Sequence, residues 1–499
     1  MMLCFVFGEI KIIFAKKTMV GRNIERRQLD NLYNSHKSEF VAVYGRRRVG
    51  KTFLIKEHFK GKFSFWHTGL SPYDREKKNL LQDQLKAFHI SLMRFGLKDS
   101  PVPKSWMDAF FLLEQLIESD GTIGKKVIFI DELPWMDTPR SRFIPAFEHF
   151  WNGWASRRDD IMLIVCGSAT SWIEDNLINS KGGLYGRITR KIHLSPFSLS
   201  ECKAFFDEAG VRMSLYDIAQ SYMILGGIPY YLGMFEPDCS LAQNIDNLFF
   251  SKDAKLEDEF DLLFGSLFVN PEQYKSLVRV LAGRHSGYSR EEIIKLTKSQ
   301  GGKSLTTQLK SLVASNFIVK YEAFGGRERK IYRYRLCDGF CRFWLNFRDK
   351  KQISDRKFWM NNVKSPVLNT WRGYAFEEIC LNHIDEIKEA LGVSGVNSKE
   401  SQWALRGDDD VDGTQIDLVI ERADNVVNLC EMKFYNEEFR VTKEYNKKLS
   451  HRLNLLQERI PKRYVVHMTL ITTEGLAPNE YMSAFQKVIT LEDLFVSSR

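Results

Sequence analysis

The sequence predicts a multidomain α/β protein, and three stretches carry that prediction. Phe40 to Tyr44 is a short, apolar run, as a strand buried in a parallel sheet should be, and it leads into a turn rich in glycine and arginine. Lys125 to Glu132 is a second such run and ends in the adjacent carboxylates Asp131 and Glu132. Far downstream, Gln415 to Arg422 and Val426 to Phe434 read as two strands around the short turn Ala423 to Asn425, the pattern of a hairpin.

The turn after the first strand is Gly45-Arg46-Arg47-Arg48-Val49-Gly50-Lys51-Thr52, which fits GxxxxGK(S/T), and an amphipathic helix follows. In a strand–loop–helix context, backbone amides and the helix N-terminus point at an anion. Gly45 to Gly50 then cradle the phosphates of ATP, Lys51 reaches the β/γ-phosphates, and the Thr52 hydroxyl ligates Mg²⁺. The stretch reads as a P-loop. Asp131 is expected to hold Mg²⁺ through water, and Glu132 to orient and deprotonate the attacking water. The interval between Lys51 and Asp131 leaves room for one more strand, and Lys62 to Thr68 supplies it.

Phe143 to Trp154 reads as an aromatic, core-facing helix, and Ile161 to Ser168 as the next parallel strand. Ligands of α/β sheets sit at strand C-termini, so Ser168 and Thr170 are expected near the γ-phosphate. Gly182 to Arg190 is a basic turn before the short strand Lys191 to Leu194. Arg187 or Arg190 is a candidate to stabilise transition-state charge, in cis or across a subunit boundary of a nucleotide-dependent homo-oligomer; plain surface arginines are the alternative. These elements form an ATPase core over 20–197.

A helical lid over 198–268 opens at Ser198-Leu-Ser-Glu201, an N-cap with its capping-box glutamate. Gly226-Gly-Ile-Pro229 punctuates it. From 269 to 348 the order is helix (Gln273 to Ala282), helix (Arg290 to Lys298), helix (Leu305 to Ser315), and two strands, Phe317 to Ala323 and Lys330 to Leu336, around a Gly325-Gly326 turn.

Composition is that of a soluble globular chain, with 44% hydrophobic and 27% charged residues in 499. No apolar run reaches the length of a bilayer span, so no membrane partner is expected. The first 18 residues read as an upstream extension or an added strand, with Met19 the more natural start, and the apolar run there lacks the basic segment of a signal peptide. Eight scattered cysteines without zinc-finger spacing fit free thiols in a reducing cytoplasm. The net charge of +9 is local: Pro271 to Leu336 holds 14 Lys and Arg against 5 Glu, itself +9, so the remainder nets to zero.

The helix–helix–helix–strand–strand order resembles a winged helix-turn-helix. Lys303, Thr306, Thr307 and Lys310 then line the third helix, with Arg327, Arg329 and Lys330 in the wing. A positive helix face and wing suit DNA backbone and groove contact, and an interdomain adaptor with a solvated basic face is the alternative.

Beyond Trp371 lies a second candidate site over 365–499. Arg372 to Cys380 opens a helix with two carboxylates, and across the hairpin Asp417 can face Glu431. Alternation places Glu431 and Lys433 on one face and Cys430, Met432 and Phe434 on the other. Carboxylates and a lysine at a hairpin suit Mg²⁺ binding and water activation against a phosphodiester. This resembles the PD-(D/E)xK nuclease fold, a C-terminal α/β nuclease-like domain. The resemblance implies Glu377, Asp417 and Glu431 as catalytic metal ligands and Lys433 as the catalytic lysine. Gln415-Ile416 stand where many members have proline, and a nuclease-like fold without activity stays open.

The extra strand and the glutamate after Asp131 resemble the division that includes AAA+ and STAND ATPases. From about Val20 to Phe495 the chain resembles a prokaryotic ATPase family of the MNS/STAND-like branch of AAA+ proteins. Glu132-Leu-Pro-Trp-Met136, Cys166-Gly-Ser-Ala-Thr170 and Gly226-Gly-Ile-Pro229 add to the likeness. The family implies a parallel P-loop ATPase sheet with helical lid, winged helix-turn-helix and nuclease-like tail, with ATP and Mg²⁺ as ligands and Pro229 near the adenine. Three functions stay open: an ATPase acting on DNA whose nucleotide state controls a nuclease centre, a nucleotide-switched DNA-binding or signalling regulator with a silent tail, or a protein-interaction scaffold that binds ATP with little turnover.

Overall fold

The computed structural model describes residues 19–71, 79–298, 301–324, 332–349, 355–405 and 414–496. The first 18 residues, the Gly325-Gly326 turn and the wing cations Arg327, Arg329 and Lys330 lie outside them.

Five strands form a parallel sheet: β1 (Glu39–Tyr44), β2 (Phe63–Thr68), β3 (Lys126–Asp131), β4 (Ile161–Gly167) and β5 (Arg190–His193), in the order β2-β3-β4-β1-β5. β1 and β3 both carry phosphate-site motifs, yet β4 lies between them. That order brings three strand ends, at Tyr44, Asp131 and Gly167, to one edge of the sheet. β3 and β4 are buried along their whole length, which is why both read as unbroken apolar runs. The aromatic helix Phe143–His149 passes into a π-helical turn, Phe150–Trp154, so that Phe143, Phe147 and Phe150 all reach the core behind the sheet.

The segment expected as a lid is a set of helices, of which Leu199–Glu208 has the capping box read from Ser198 and Glu201. Gly226 ends Leu215–Leu225 in the left-handed region at φ 68°, as a helix C-terminus favours. The basic segment holds helices Pro271–Ala282, Arg290–Thr297 and Gly302–Ala314 with a three-stranded sheet, ordered β6 (Tyr288–Ser289), β8 (Tyr332–Leu336) and β7 (Ile318–Glu322). β6 is too short for periodicity to reveal; its pairing with β8 creates it.

The C-terminal sheet is mixed. β9 (Ser398–Leu405), β10 (Thr414–Arg422) and β11 (Val426–Lys433) are antiparallel, and β12 (Val465–Thr472) and β13 (Lys487–Ile489) continue parallel from β11. One apolar core runs from β1 through the lid and the basic segment to Cys430 and Met432 on one face of this sheet. A separate core fills the other face, beneath the helix Lys443–Gln457. Burial therefore ties the ATPase sheet to both downstream segments.

Candidate functional site

β1 ends at Tyr44, and Gly45 turns the chain at φ 144°; a Cβ there would lie 2.3 Å from the Leu194 carbonyl oxygen, so only glycine fits. Gly50 caps the helix Lys51–His58 at φ 92°, with open space where its Cβ would stand. That space lies at the helix N-terminus, where an anion is favoured. Lys51 is buried, and its Nζ donates to the carbonyl oxygens of Gly45 at 2.9 Å and Arg46 at 3.0 Å and to Ser168 Oγ at 3.1 Å. Burial pulls its ammonium below the ordinary lysine value, while Glu132 and Asp131 pull the other way.

Thr52 Oγ1 donates to Asp131 Oδ2 at 2.8 Å. Burial, and then the charge of Glu132, raise the Asp131 carboxyl. Glu132 sits in the left-handed region at φ 48°, directly after β3. Its carboxylate grips Ser168 twice: Ser168 N donates to Oε2 at 3.0 Å and Ser168 Oγ to Oε1 at 2.9 Å. Ser168 thus links the loop lysine to the glutamate, and Lys51, Thr52, Asp131, Glu132 and Ser168 meet at the sheet edge. The arrangement can hold a triphosphate and orient a water beside its terminal phosphate.

The loop arginines depart from expectation. Arg46 was expected to bind nucleotide, but its side chain is fully buried and its Nε donates to Asp338 Oδ2 at 2.5 Å. Its guanidinium also lies 5.8 Å from the Tyr231 ring and 5.3 Å from the Phe317 ring. Arg48, at φ 73°, pairs with Glu259 at 2.7 Å and lies 4.2 Å from the Tyr230 ring centroid. A loop that offers phosphate its backbone leaves its side chains to point outward. Here Arg48 reaches Glu259 and Arg46 reaches Asp338. Tyr231 Oη, in the short helix Pro229–Leu232, donates to the same Glu259 at 2.6 Å. Arg187 and Arg190 are exposed and stand outside the Lys51–Glu132–Ser168 network.

In the C-terminal sheet the register pairs Leu418 with Cys430, and Asp417, the next residue, lies close enough to Glu431 to feel its charge, beside an irregularity of β10 between Ile416 and Val419. Glu431 is fully buried on the side of Lys443–Gln457. Tyr445 Oη donates to its Oε2 at 2.6 Å, Arg452 Nη1 donates to its Oε1, and Lys433 Nζ is 3.7 Å from Oε2. Glu377 approaches from the helix Pro366–Asn382, where burial and then Asp417 push its carboxyl up to about 9. Burial and then Glu431 raise Asp417 to about 6.

The four expected residues therefore share one neighbourhood, but the expected metal group is not formed. Among the described residues, no three His, Cys, Asp or Glu side chains come together as a set that could hold a metal ion. The reason is local: Arg452, Lys433 and Tyr445 already surround the Glu431 carboxylate. The adjacent Glu378 does a different job, bonding Arg335 and lying 3.6 Å from Arg342.

Sequence reasoning missed Asp338 and Glu259, whose partners are remote in the chain, and also Tyr445 and Arg452. The last two are seven residues apart on one helix, a spacing that puts both on one face.

Sheet order, loop and network together define a P-loop, ATP-binding ATPase domain. Residues 19–235 match the family model described as an ATPase domain predominantly from Archaea, and residues 270–354 match that of the B-block binding subunit of TFIIIC. The chain is 24% identical over 407 residues to an uncharacterized protein of Methanocaldococcus jannaschii, covering 80% of this chain and 83% of that one. It is 44% identical over 43 residues to an uncharacterized ATP-binding protein of the same organism, covering 9% of this chain and 73% of that one. Among solved structures it is similar to the Walker-type ATPase of Pyrococcus abyssi, with TM-score 0.48 and 19% identity over 66% of this chain and 96% of that one. Another is the Aeropyrum pernix ORC2 protein in ADPNP–ADP complexes, with TM-score 0.39 and 13% identity over 66% and 95%. No described helix is long and apolar enough to cross a membrane.

Proposed function

We propose that this ATPase is Mg²⁺-dependent and acts on DNA, its nucleotide state controlling the nuclease-like C-terminal domain. The observation that carries the reading is the buried Arg46–Asp338 pair. Asp338 accepts from Cys341 N as the N-cap of the helix Gly339–Phe347, which follows the basic segment directly. A P-loop residue is thereby fastened to the part of the chain that carries the excess positive charge. Nucleotide at Gly45–Thr52 alters the setting of Arg46, and the buried pair hands that change to the basic segment.

Mg²⁺ suits the P-loop donors. The Thr52 hydroxyl and the Asp131 carboxylate are hard oxygens 2.8 Å apart; Thr52 would hold the ion directly and Asp131 through water, and the ion would supply positive charge against the β/γ-phosphates. Lys51 exchanges its carbonyl partners for phosphate oxygens, and Glu132, aimed by Ser168, takes the proton of the attacking water.

Winged-helix contact with DNA is supported by the local +9 charge and by the exposed Lys303, Thr306 and Thr307. The experiment is ATP turnover of the full chain with and without duplex DNA, beside a salt titration of duplex binding for wild type and Lys303→Ala. Turnover that responds to DNA, and a shallower salt slope for the variant, are expected. Turnover indifferent to DNA would sink the proposal.

A second reading, a nucleotide-switched regulator with a silent tail, is favoured by one observation: Glu431 is held by Arg452 and Tyr445. Incubating the protein with DNA, ATP and Mg²⁺ or Mn²⁺ separates the two. Cleavage lost in Asp417→Asn selects the nuclease, and DNA binding without cleavage selects the regulator.

A further inference from the structure

Residues 303, 307 and 310 lie on one face of the helix Gly302–Ala314 by their spacing. This is the stripe that the proposed function assigns to DNA. Lys303 and Thr307 are exposed, but at Lys310 the stripe meets the ATPase core. Lys310 is ion-paired with Asp175, and Ser311 Oγ lies 3.3 Å from Ser171 Oγ. Both partners belong to the segment that leaves β4, the helical turn Thr170–Ile173 followed by the π-helical turn Glu174–Ile178.

That segment starts at the nucleotide network. Thr170 N donates to the Ser168 carbonyl oxygen at 2.9 Å, and Ser168 is the residue shared by Lys51 and Glu132. Ser168 and Ala169, followed by the six helical residues Thr170 to Asp175, therefore link the Lys51–Glu132 network to the end of the basic stripe. A π-helical turn is rare, and such turns occur frequently at functional sites.

We infer that Thr170–Ile178 is an intramolecular clamp on the DNA-reading helix, with Asp175 and duplex phosphate competing for Lys310 under the control of nucleotide at Ser168. The inference rests on the DNA reading above and names its regulation. While the clamp is closed, Lys310 has a protein counter-ion, and Glu174 and Asp175 set negative charge where a phosphate backbone would run. When phosphate draws Lys51 away from Ser168, Ser168 and Glu132 readjust, and the segment they anchor moves with them. The clamp is weak. Lys310 and Asp175 are each about half exposed (50% and 54%), a setting in which an ion pair contributes little in water. A contact of that strength suits a switch that is thrown by one ligand.

Two measurements on the full chain test it. The first is amide hydrogen exchange of residues 302–314 with and without a non-hydrolysable ATP analogue and Mg²⁺, in the absence of DNA. Exchange should change on nucleotide addition, and Asp175→Asn without nucleotide should reproduce part of that change. The second is fluorescence anisotropy of a labelled mixed-sequence duplex. Without nucleotide, Asp175→Asn should bind about threefold more tightly than wild type. Its salt slope should be steeper by about one phosphate contact. Asp175→Lys, which repels Lys310, should exceed that gain, and in both variants the effect of nucleotide should shrink. Equal duplex binding by wild type and both variants, or exchange in 302–314 that ignores nucleotide, overturns the clamp while leaving DNA binding intact. Absence of duplex binding in every state overturns the DNA reading instead.

Discussion

The P-loop and the C-terminal cluster are built from the same parts, a lysine and carboxylates at strand ends, and they are completed differently. Lys51 is bonded to two carbonyl oxygens and a hydroxyl, all neutral acceptors. A phosphate oxygen outcompetes such partners because it brings charge. Glu431 instead has two cations within reach, Arg452 and Lys433, and a tyrosine hydroxyl besides. Its charge is already compensated. The first site is therefore open to an anionic ligand and its counter-ion, whereas the second must lose an internal partner before a metal can enter. Similar motifs do not make equally ready sites.

The largest effects should separate the two. Lys51→Ala should cut ATP turnover by at least about a hundredfold, because transition-state charge loses its protein counter-ion. Phosphate release by the purified variant checks this, with Lys433→Ala as the contrast expected to leave ATP turnover near wild type. Glu132→Gln should keep ATP bound while hydrolysis slows by roughly a hundredfold. Its amide can still accept from Ser168 but cannot take a proton. Wild-type turnover in that variant would remove Glu132 from its role as base.

Next in size is the buried pair that joins the P-loop to the basic segment. Asp338→Ala leaves the Arg46 guanidinium buried without its carboxylate and also removes the N-cap acceptor of Cys341 N. Breaking a buried pair by deleting one partner costs about 3–5 kcal/mol. Urea denaturation should show that loss, and Asp338→Asn, which keeps a cap acceptor, should lose less. Equal stability of all three proteins would mean that the pair contributes little to the junction.

Much of this was legible because short-range chemistry dictates it. Gly45 to Thr52 and Asp131-Glu132 carry their geometry in their spacing, and Ser198 to Glu201 announces its own capping box. The hairpin of β10 and β11 followed from a tight turn and the period of a strand. What stayed hidden depends on tertiary contact. Nothing near Arg46 announces Asp338, 292 residues away, and three consecutive arginines in a phosphate loop read more naturally as ligands. Lys310 looked like part of a free basic face because its partner, Asp175, belongs to another segment of the fold. The basic segment's charge excess is real, but Lys275, Arg279, Arg284 and Arg335 also spend theirs on internal carboxylates.

A smaller effect sharpens the comparison at the second site. Arg452→Met removes the cation bonded to Glu431 while keeping much of the side chain's apolar bulk. Mn²⁺ affinity, read by isothermal titration, should rise by roughly tenfold, since the carboxylate no longer has to give up an ion pair first. Unchanged affinity would show that Arg452 does not close the site.

The subtlest test uses protons. Glu377 is raised from 4.5 to about 9, chiefly by burial and next by Asp417, so across that interval the folded chain keeps a proton that the unfolded chain releases. The sign follows from linkage: where the native state binds more protons, stability falls as pH rises. This carboxyl's contribution is thus fully present below about 4.5 and is lost as pH approaches about 9. Asp417, raised to about 6, acts in the same direction over a narrower range. In Glu377→Gln the group cannot ionise, so the decline in urea midpoint between neutral and alkaline pH should flatten relative to wild type. A Glu377→Gln profile parallel to wild type would mean that Glu377 is already ionised at neutral pH, and the second site would then hold more free negative charge than its internal cations balance.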